Sequence, residues 1–217
     1  MSLPTTTKTL NFLNKLFDTN TDFSETHSDE FFETFKQEQN PYLTILKCSD
    51  SRVQMESFDK TPQNGVFAIR NIGNQIHTSE GSIDFGVRIL KTPFLLIVGH
   101  SGCGAVECTI KNVKTNIEAI DRELSTIKLK STSMEEAIVE NINYQVEKAL
   151  SKYSDKIENG ELTVFGAIYD FQNEFGFGSG KVVLTSINGE NNSETVKGLY
   201  KEHVKNFNIL DSDFFTN

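Results

Sequence analysis

Two short segments of the chain carry side chains that can bind a metal ion. The first spans residues 48–52 (CSDSR) and the second spans residues 99–104 (GHSGCG). Catalytic zinc sites use three protein ligands, commonly cysteine and histidine, and leave a fourth position to water or substrate. Two cysteines and one histidine complete such a set, so the sequence predicts a zinc site at Cys48, His100 and Cys103.

The first segment also contains a carboxylate and a guanidinium at alternate positions from the cysteine. An extended backbone projects Cys48, Asp50 and Arg52 in the same direction. Arginine can hold a carboxylate through two parallel hydrogen bonds and keep it ionised. We therefore expect Asp50 to be a hydrogen-bond acceptor beside the metal, positioned by Arg52. With Arg52 drawn away, the same carboxylate could become a fourth zinc ligand.

A zinc ion with an open position changes the chemistry of water. It lowers the pKa of a bound water from 15.7 to about 7 and so supplies hydroxide near neutral pH. Two thiolates donate more charge to the metal than neutral imidazoles do, so we expect a somewhat higher pKa at this site.

Apolar runs precede both ligand segments, at residues 43–46 and 94–98. Such runs are typical of buried parallel strands, and open α/β sheets place their chemistry at the carboxyl ends of strands. Strands alternate with helical patterns along the rest of the chain. The predicted fold is α/β, with a mainly parallel central sheet of about four to five strands, an antiparallel edge and flanking helices.

The chain is expected to form a single domain over residues 1–217, with an N-terminal helical arm at 1–39 and a zinc-binding α/β core at 40–210. Two helices are predicted in the arm. The S-x-x-E pattern at Ser133 predicts a capping box that opens a long helix ending near residue 153. Further elements are predicted as strands at 66–69, 162–169 and 182–187 and as helices at 79–90, from 102 onward and at 194–207.

Composition excludes several classes of ligand and location. The net charge is −9 and basic residues form no patch, which argues against a nucleic-acid partner. No apolar run approaches the ~18 residues of a membrane-spanning helix. Three cysteines cannot form an even disulfide framework. We therefore expect a cytoplasmic protein without a membrane partner, with Cys108 as an inert core residue.

The two ligand segments, together with residues 70–74 (RNIGN), resemble the β-class carbonic anhydrases in order, spacing and strand context. The resemblance covers residues 39–106 and continues more weakly through residues 164–170. It implies that Cys48, His100 and Cys103 bind one zinc ion per subunit. It also implies reversible hydration of carbon dioxide to bicarbonate and a proton by zinc-bound hydroxide.

The resemblance further implies a small apolar substrate pocket and a catalytic residue pair. Asp50 and Arg52 fall on the catalytic pair of the family. By their offsets, the substrate-binding positions fall on Gln39, Phe67, Ile72 and Phe85. In the family these walls come partly from a second subunit, so a homodimer, possibly a tetramer, is expected.

One position departs from a bicarbonate-regulated bacterial subset of the family. That subset carries tryptophan three residues before the first zinc cysteine, and this chain has Ile45 there. The departure disfavours a bicarbonate-inhibited form with Asp50 on the metal.

Two alternative functions remain open from the sequence. The same fold and zinc site could hydrolyse carbonyl sulfide or carbon disulfide, which are linear molecules like carbon dioxide. The chain could also be a non-catalytic homologue with a closed, four-ligand zinc site. The second alternative does not explain the presence of Asp50, Arg52 and Gln39, because a structural zinc site does not need them.

Overall fold

The computed structural model describes residues 6–211 and 214, which fall into two units that meet in the sequence between residues 40 and 41. The first unit contains helix α1 (Thr7–Thr26) and helix α2 (Asp29–Glu33). Both begin at a hydroxyl cap, since Thr6 and Ser28 accept hydrogen bonds from backbone N–H groups three residues later. The two helices predicted in this region are confirmed, whereas the single-domain assignment stays a prediction.

The second unit is built on a five-stranded sheet. Its strands are β1 (Leu43–Cys48), β2 (Val66–Asn71), β3 (Phe94–His100), β4 (Thr163–Asp170) and β5 (Lys181–Ile187). The order across the sheet is β2-β1-β3-β4-β5, with β5 antiparallel to β4 and the other pairs parallel. This arrangement confirms the predicted fold class, including the antiparallel edge.

Helices flank the sheet, and three of them differ from prediction. They are α3 (Glu80–Asp84), which continues as a π-helical turn (Phe85–Ile89), α4 (Gly104–Ile110), α5 (Glu118–Leu124), α6 (Met134–Lys152), α7 (Ser154–Glu158) and α8 (Ser193–Tyr200). Helices α5 and α7 were not predicted. The last helix was predicted to reach residue 207 but ends at Tyr200, because residues 201–206 are exposed and burial contributes little to stabilising further turns.

The predicted capping box at the start of α6 is wrong in detail. Ser133 is the N-cap residue, but its hydroxyl makes no hydrogen bond to the helix backbone and instead donates to Glu135. Glu136, the expected reciprocal partner, accepts a hydrogen bond from the Ser131 hydroxyl. The hydroxyls of Ser131 and Ser133 therefore bind the first two carboxylates of the helix, and the reciprocal bonds of a capping box do not form.

The core of the second unit lies where α6 packs on the middle of the sheet. Ile138 and Ile142 of α6 are buried, and Ile142 contacts both β3 and β4. A Cβ at Gly99 would lie 2.7 Å from the Ile142 side chain, so only glycine permits this close approach of helix and strand. The packing fixes the end of β3, which carries His100.

The order of the strands places a crevice at the carboxyl ends of β1 and β3. The chain leaves β1 for β2 on one side and returns to β3 on the other side, which creates a topological switch point. Cys48 is the last residue of β1 and His100 is the last residue of β3. Within residues 6–211 and 214, no helix is both long and apolar enough to cross a membrane.

Candidate metal centre

Three buried side chains converge at the switch point. The sulfur atoms of Cys48 and Cys103 and a ring nitrogen of His100 all lie within 4.8 Å of one another. Cys103 directly precedes α4 as its N-cap residue, so the second thiol is presented by the start of a helix. In the part of the chain that the structure describes, no other three histidine, cysteine or acidic side chains form such a group.

The histidine is oriented with one ring nitrogen available to a metal. Nδ1 of His100 lies 2.9 Å from the carbonyl oxygen of Ser101. A carbonyl can only accept, so Nδ1 carries the proton and Nε2 presents its lone pair. Nε2 is buried and has no hydrogen-bond partner. An unsatisfied buried acceptor is costly, and a metal ion at this position would satisfy it.

The two thiols share a hydrogen bond that shifts their pKa values in opposite directions. A hydrogen bond from Cys103 lowers the pKa of Cys48, and backbone N–H groups of Gly73 and Asp50 act in the same direction. The same interaction raises the pKa of Cys103, and burial raises it further. The pair therefore retains one proton readily, and a metal dication would displace it, since metal-ligating cysteines are thiolates. The donor set thus fits zinc.

Asp50 and Arg52 form the predicted ion pair beside these ligands. Nε of Arg52 donates to Oδ1 of Asp50 at 2.9 Å, and Nη2 donates to Oδ2 at 2.7 Å. These hydrogen bonds hold the pKa of the Asp50 carboxyl well below its usual range. Oδ2 of Asp50 lies 4.0 Å from Nε2 of His100. An ionised acceptor therefore faces the three ligands.

Two further contacts fix the Arg52 side chain. Nη2 donates a second hydrogen bond to the carbonyl oxygen of Gly102 at 3.0 Å. The guanidinium also lies over the ring of Phe171, 4.7 Å from its centroid. The same ring stacks on His100, with centroids 6.0 Å apart and an interplanar angle of 21°. Phe171 therefore separates the ion pair from solvent on one side.

Phe171 was missed by the sequence-based reasoning, although a signal for it exists. It directly follows the last residue of β4, and β4 lies next to β3 in the sheet. His100 pairs with Tyr169 in the register, so the residues after β4 reach the same crevice. A search for aromatic residues at the carboxyl end of each predicted strand would have included Phe171.

Of the four predicted substrate-binding residues, three belong to the second unit and one belongs to the first. Phe67 and Phe85 stack on each other with centroids 5.9 Å apart, and Phe85 is 43% exposed. Ile72 directly follows β2 and packs against the core cluster that includes Cys48 and Cys103. Gln39 is exposed and belongs to the first unit. Their role in binding substrate stays a prediction.

Comparisons with known proteins agree with this geometry. Residues 43–177 match the family model described as carbonic anhydrase. A carbonic anhydrase from Mycolicibacterium smegmatis is 36% identical over 75 residues, which cover 34% of this chain and 36% of that protein. One from Synechococcus elongatus is 26% identical over 176 residues, covering 70% of this chain and 64% of that protein. The chain thus spans less than two thirds of these relatives.

Solved structures of β-carbonic anhydrases share the fold. CafA of Aspergillus fumigatus superposes with a TM-score of 0.64 at 27% identity, covering 90% of this chain and 98% of that one. A tetrameric enzyme of Sordaria macrospora superposes with a TM-score of 0.67 at 19% identity, covering 82% and 96%. At the lower identity the likeness supports the fold alone.

Proposed function

Because the chain belongs to the β-class carbonic anhydrase family, we propose that it catalyses the reversible hydration of carbon dioxide to bicarbonate and a proton. One observation carries the proposal. The three buried ligand atoms lie within 4.8 Å of one another, and the ionised Asp50 carboxylate, held by Arg52, faces them. A purely structural zinc site needs four ligands and has no use for a charged acceptor beside them.

Cys48, His100 and Cys103 would hold one zinc ion, which supplies a nucleophile at neutral pH by lowering the pKa of water. Asp50 then acts as an acceptor. With the metal bound, Oδ2 of Asp50 would accept a hydrogen bond from the nucleophile and so direct its lone pair towards the carbon atom of the substrate. Arg52 keeps Asp50 ionised and prevents it from turning to the metal, because both carboxylate oxygens are engaged.

The substrate niche combines apolar walls with one polar contact. In this proposal the side-chain amide of Gln39 donates a hydrogen bond to a substrate oxygen, while Phe67, Ile72 and Phe85 exclude water. Carbon dioxide has no charge and no hydrogen-bond donor, so an apolar niche with a single donor suits it.

A second copy of the chain would complete the niche. Phe67 of β2 is the register partner of Thr44 in β1, and Thr44 lies four residues before the ligand Cys48 on that strand. At ~3.3 Å per residue, the Phe67–Phe85 stack therefore lies about 13 Å along the strands from the metal ligands of its own chain. The exposure of Phe85 supports a role against another subunit. We propose a homodimer as the catalytic unit, and the tetrameric relative supports self-association.

The function is tested by stopped-flow hydration of carbon dioxide with the zinc-loaded chain, from neutral to alkaline pH. We expect rapid hydration that increases with pH. Cys103→Ser should lose both zinc and hydration. Cys108→Ser is the matched control, because Cys108 is partly buried against the same core but lies outside the ligand group. It should retain both.

Absence of hydration in the zinc-loaded parent at every pH contradicts the proposal. The same samples should then be given carbonyl sulfide, since sulfide release would move the activity to the sulfur analogues. Zinc retention by Cys103→Ser would contradict the ligand assignment.

A further inference from the structure

A fully buried lysine lies next to the metal ligands without taking part in the chemistry proposed above. Lys47 has no exposed surface, and it precedes Cys48 in β1. Successive side chains of a strand point to opposite faces, so Lys47 leaves the sheet on the face opposite Cys48. Burial of a lysine is costly and calls for a compensating partner.

The partner of Lys47 is the turn that carries Asp50 and Arg52. Nζ of Lys47 donates to the carbonyl oxygen of Val53 at 2.6 Å. The backbone N–H of Val53 donates to the carbonyl oxygen of Asp50 at 3.0 Å, which closes the turn. The Val53 side chain is fully buried. Lys47 therefore binds the end of the turn at Val53, and Val53 cannot move without exposing its side chain to solvent.

A second cation binds the other end of the same turn. Nη2 of Arg70 donates to the carbonyl oxygen of Asp50 at 2.8 Å. Lys47 and Arg70 are register partners on β1 and β2, so their side chains share one face of the sheet. Like charges at paired positions destabilise a sheet. The carbonyl oxygens at the two ends of the turn are the acceptors that offset this repulsion.

We propose that Lys47 is a positioning residue, which together with Arg70 holds the Asp50–Val53 turn so that Asp50 and Arg52 face the metal centre. The consequence for catalysis rests on the proposed function, but the consequence for the turn does not. With the turn loosened, the bidentate geometry between Arg52 and Asp50 opens more often, although no residue of the pair has changed.

The direct test follows the Arg52 Nε–H group by NMR in the zinc-loaded protein. The chain has four arginines, so the Nε region of the spectrum is simple, and Arg52→Lys assigns the Arg52 signal by its loss. Lys47→Met removes the donor and preserves length and apolar volume. We expect hydrogen exchange of Arg52 Nε–H to accelerate about tenfold, as expected for a local opening with unchanged global structure.

A matched control removes a buried hydrogen bond from the other end of the same strand. Thr44 is fully buried and its hydroxyl lies 2.8 Å from that of Thr92. Thr44→Val should leave Arg52 exchange within about twofold of the parent, since local openings elsewhere do not expose this group. Equal acceleration in Thr44→Val and Lys47→Met would reduce the effect to general destabilisation and overturn the proposal.

Hydration kinetics provide the second measurement. Zinc content should be unchanged in Lys47→Met, while kcat falls with little change in KM, because positioning of Asp50 matters in the transition state. If Lys47→Met does not fold, Arg70→Gln replaces it, since Arg70 is exposed and binds the same turn. Parent-like Arg52 exchange in the folded variant overturns the proposal. Accelerated exchange in a protein that never hydrates carbon dioxide supports the positioning role while the proposed function fails.

Discussion

Replacing Arg52 by lysine tests the role of the bidentate ion pair at constant charge. Arginine makes two hydrogen bonds to Asp50, at 2.9 and 2.7 Å, and lysine can replace only one of them. A hydrogen bond to a charged group contributes about 1.5 to 3 kcal/mol. Because 48% of the Arg52 side chain is exposed, solvent screening favours the lower end of this range. We therefore expect kcat to fall about tenfold, since each 1.36 kcal/mol changes a rate by that factor.

The assay is stopped-flow hydration of carbon dioxide, with zinc content measured on the same samples. Zinc should be retained and KM should change little, because the Arg52 side chain donates its hydrogen bonds to Asp50 and Gly102 and not to the metal ligands. Arg88→Lys is the matched control, because Arg88 also makes a bidentate pair, with Asp155, and lies over the Tyr153 ring. It should keep kcat within about twofold, as surface pairs elsewhere contribute little. A parent-like kcat in zinc-loaded Arg52→Lys would show that the bidentate ion pair is not needed for turnover.

Three further predictions concern stability. Gly102→Ala should lower the free energy of unfolding by about 1 to 2 kcal/mol, because the φ of Gly102 is +60°, in the left-handed region. Gly104→Ala is the control and should not lower it, because Gly104 has an ordinary φ and open space around its Cβ position. Equal denaturation midpoints for the two variants would contradict this prediction. Asp50→Asn should remove a stabilisation that is complete above about pH 4, the unfolded pKa, and that disappears as pH falls through the depressed folded pKa. Denaturation of both proteins across acid pH checks this, and a difference that grows on acidification would count against it. Tyr153→Phe should cost about 1 to 2 kcal/mol in urea unfolding through loss of the buried hydroxyl's bond to Asp84, and an unchanged midpoint would exclude that contribution.

The fold could be predicted because hydrophobic patterns directly mark the buried strands. The strands at residues 43–48 and 94–100 are short apolar runs that end at the ligands, and the structure places them side by side. The end of the last helix was missed because its apolar spacing continues beyond Tyr200, although residues 201–206 are exposed. The capping box failed because the Ser131 hydroxyl donates to Glu136 and the Ser133 hydroxyl donates to Glu135, which the pattern does not reveal.

The candidate centre was predictable where residue type and spacing determine the chemistry. Cys48, His100 and Cys103 converge as expected, and the Asp50–Arg52 contact follows from alternation along an extended segment. Contacts made by backbone atoms were not predictable. The carbonyl oxygens of Ser101, Gly102 and Val53 organise His100, Arg52 and Lys47, and any residue supplies a carbonyl, so no sequence pattern identifies them.

Titration of the metal-free chain with zinc measures whether Cys48, His100 and Cys103 hold a catalytic metal ion. Carbon dioxide hydration is measured after each addition, with metal content determined in parallel. We expect activity to increase linearly and to reach a plateau at one zinc per chain, since the three ligands lie within 4.8 Å of one another. Hydration that is independent of added zinc, or one bound zinc per chain without hydration, would contradict the claim that these residues form a catalytic metal centre.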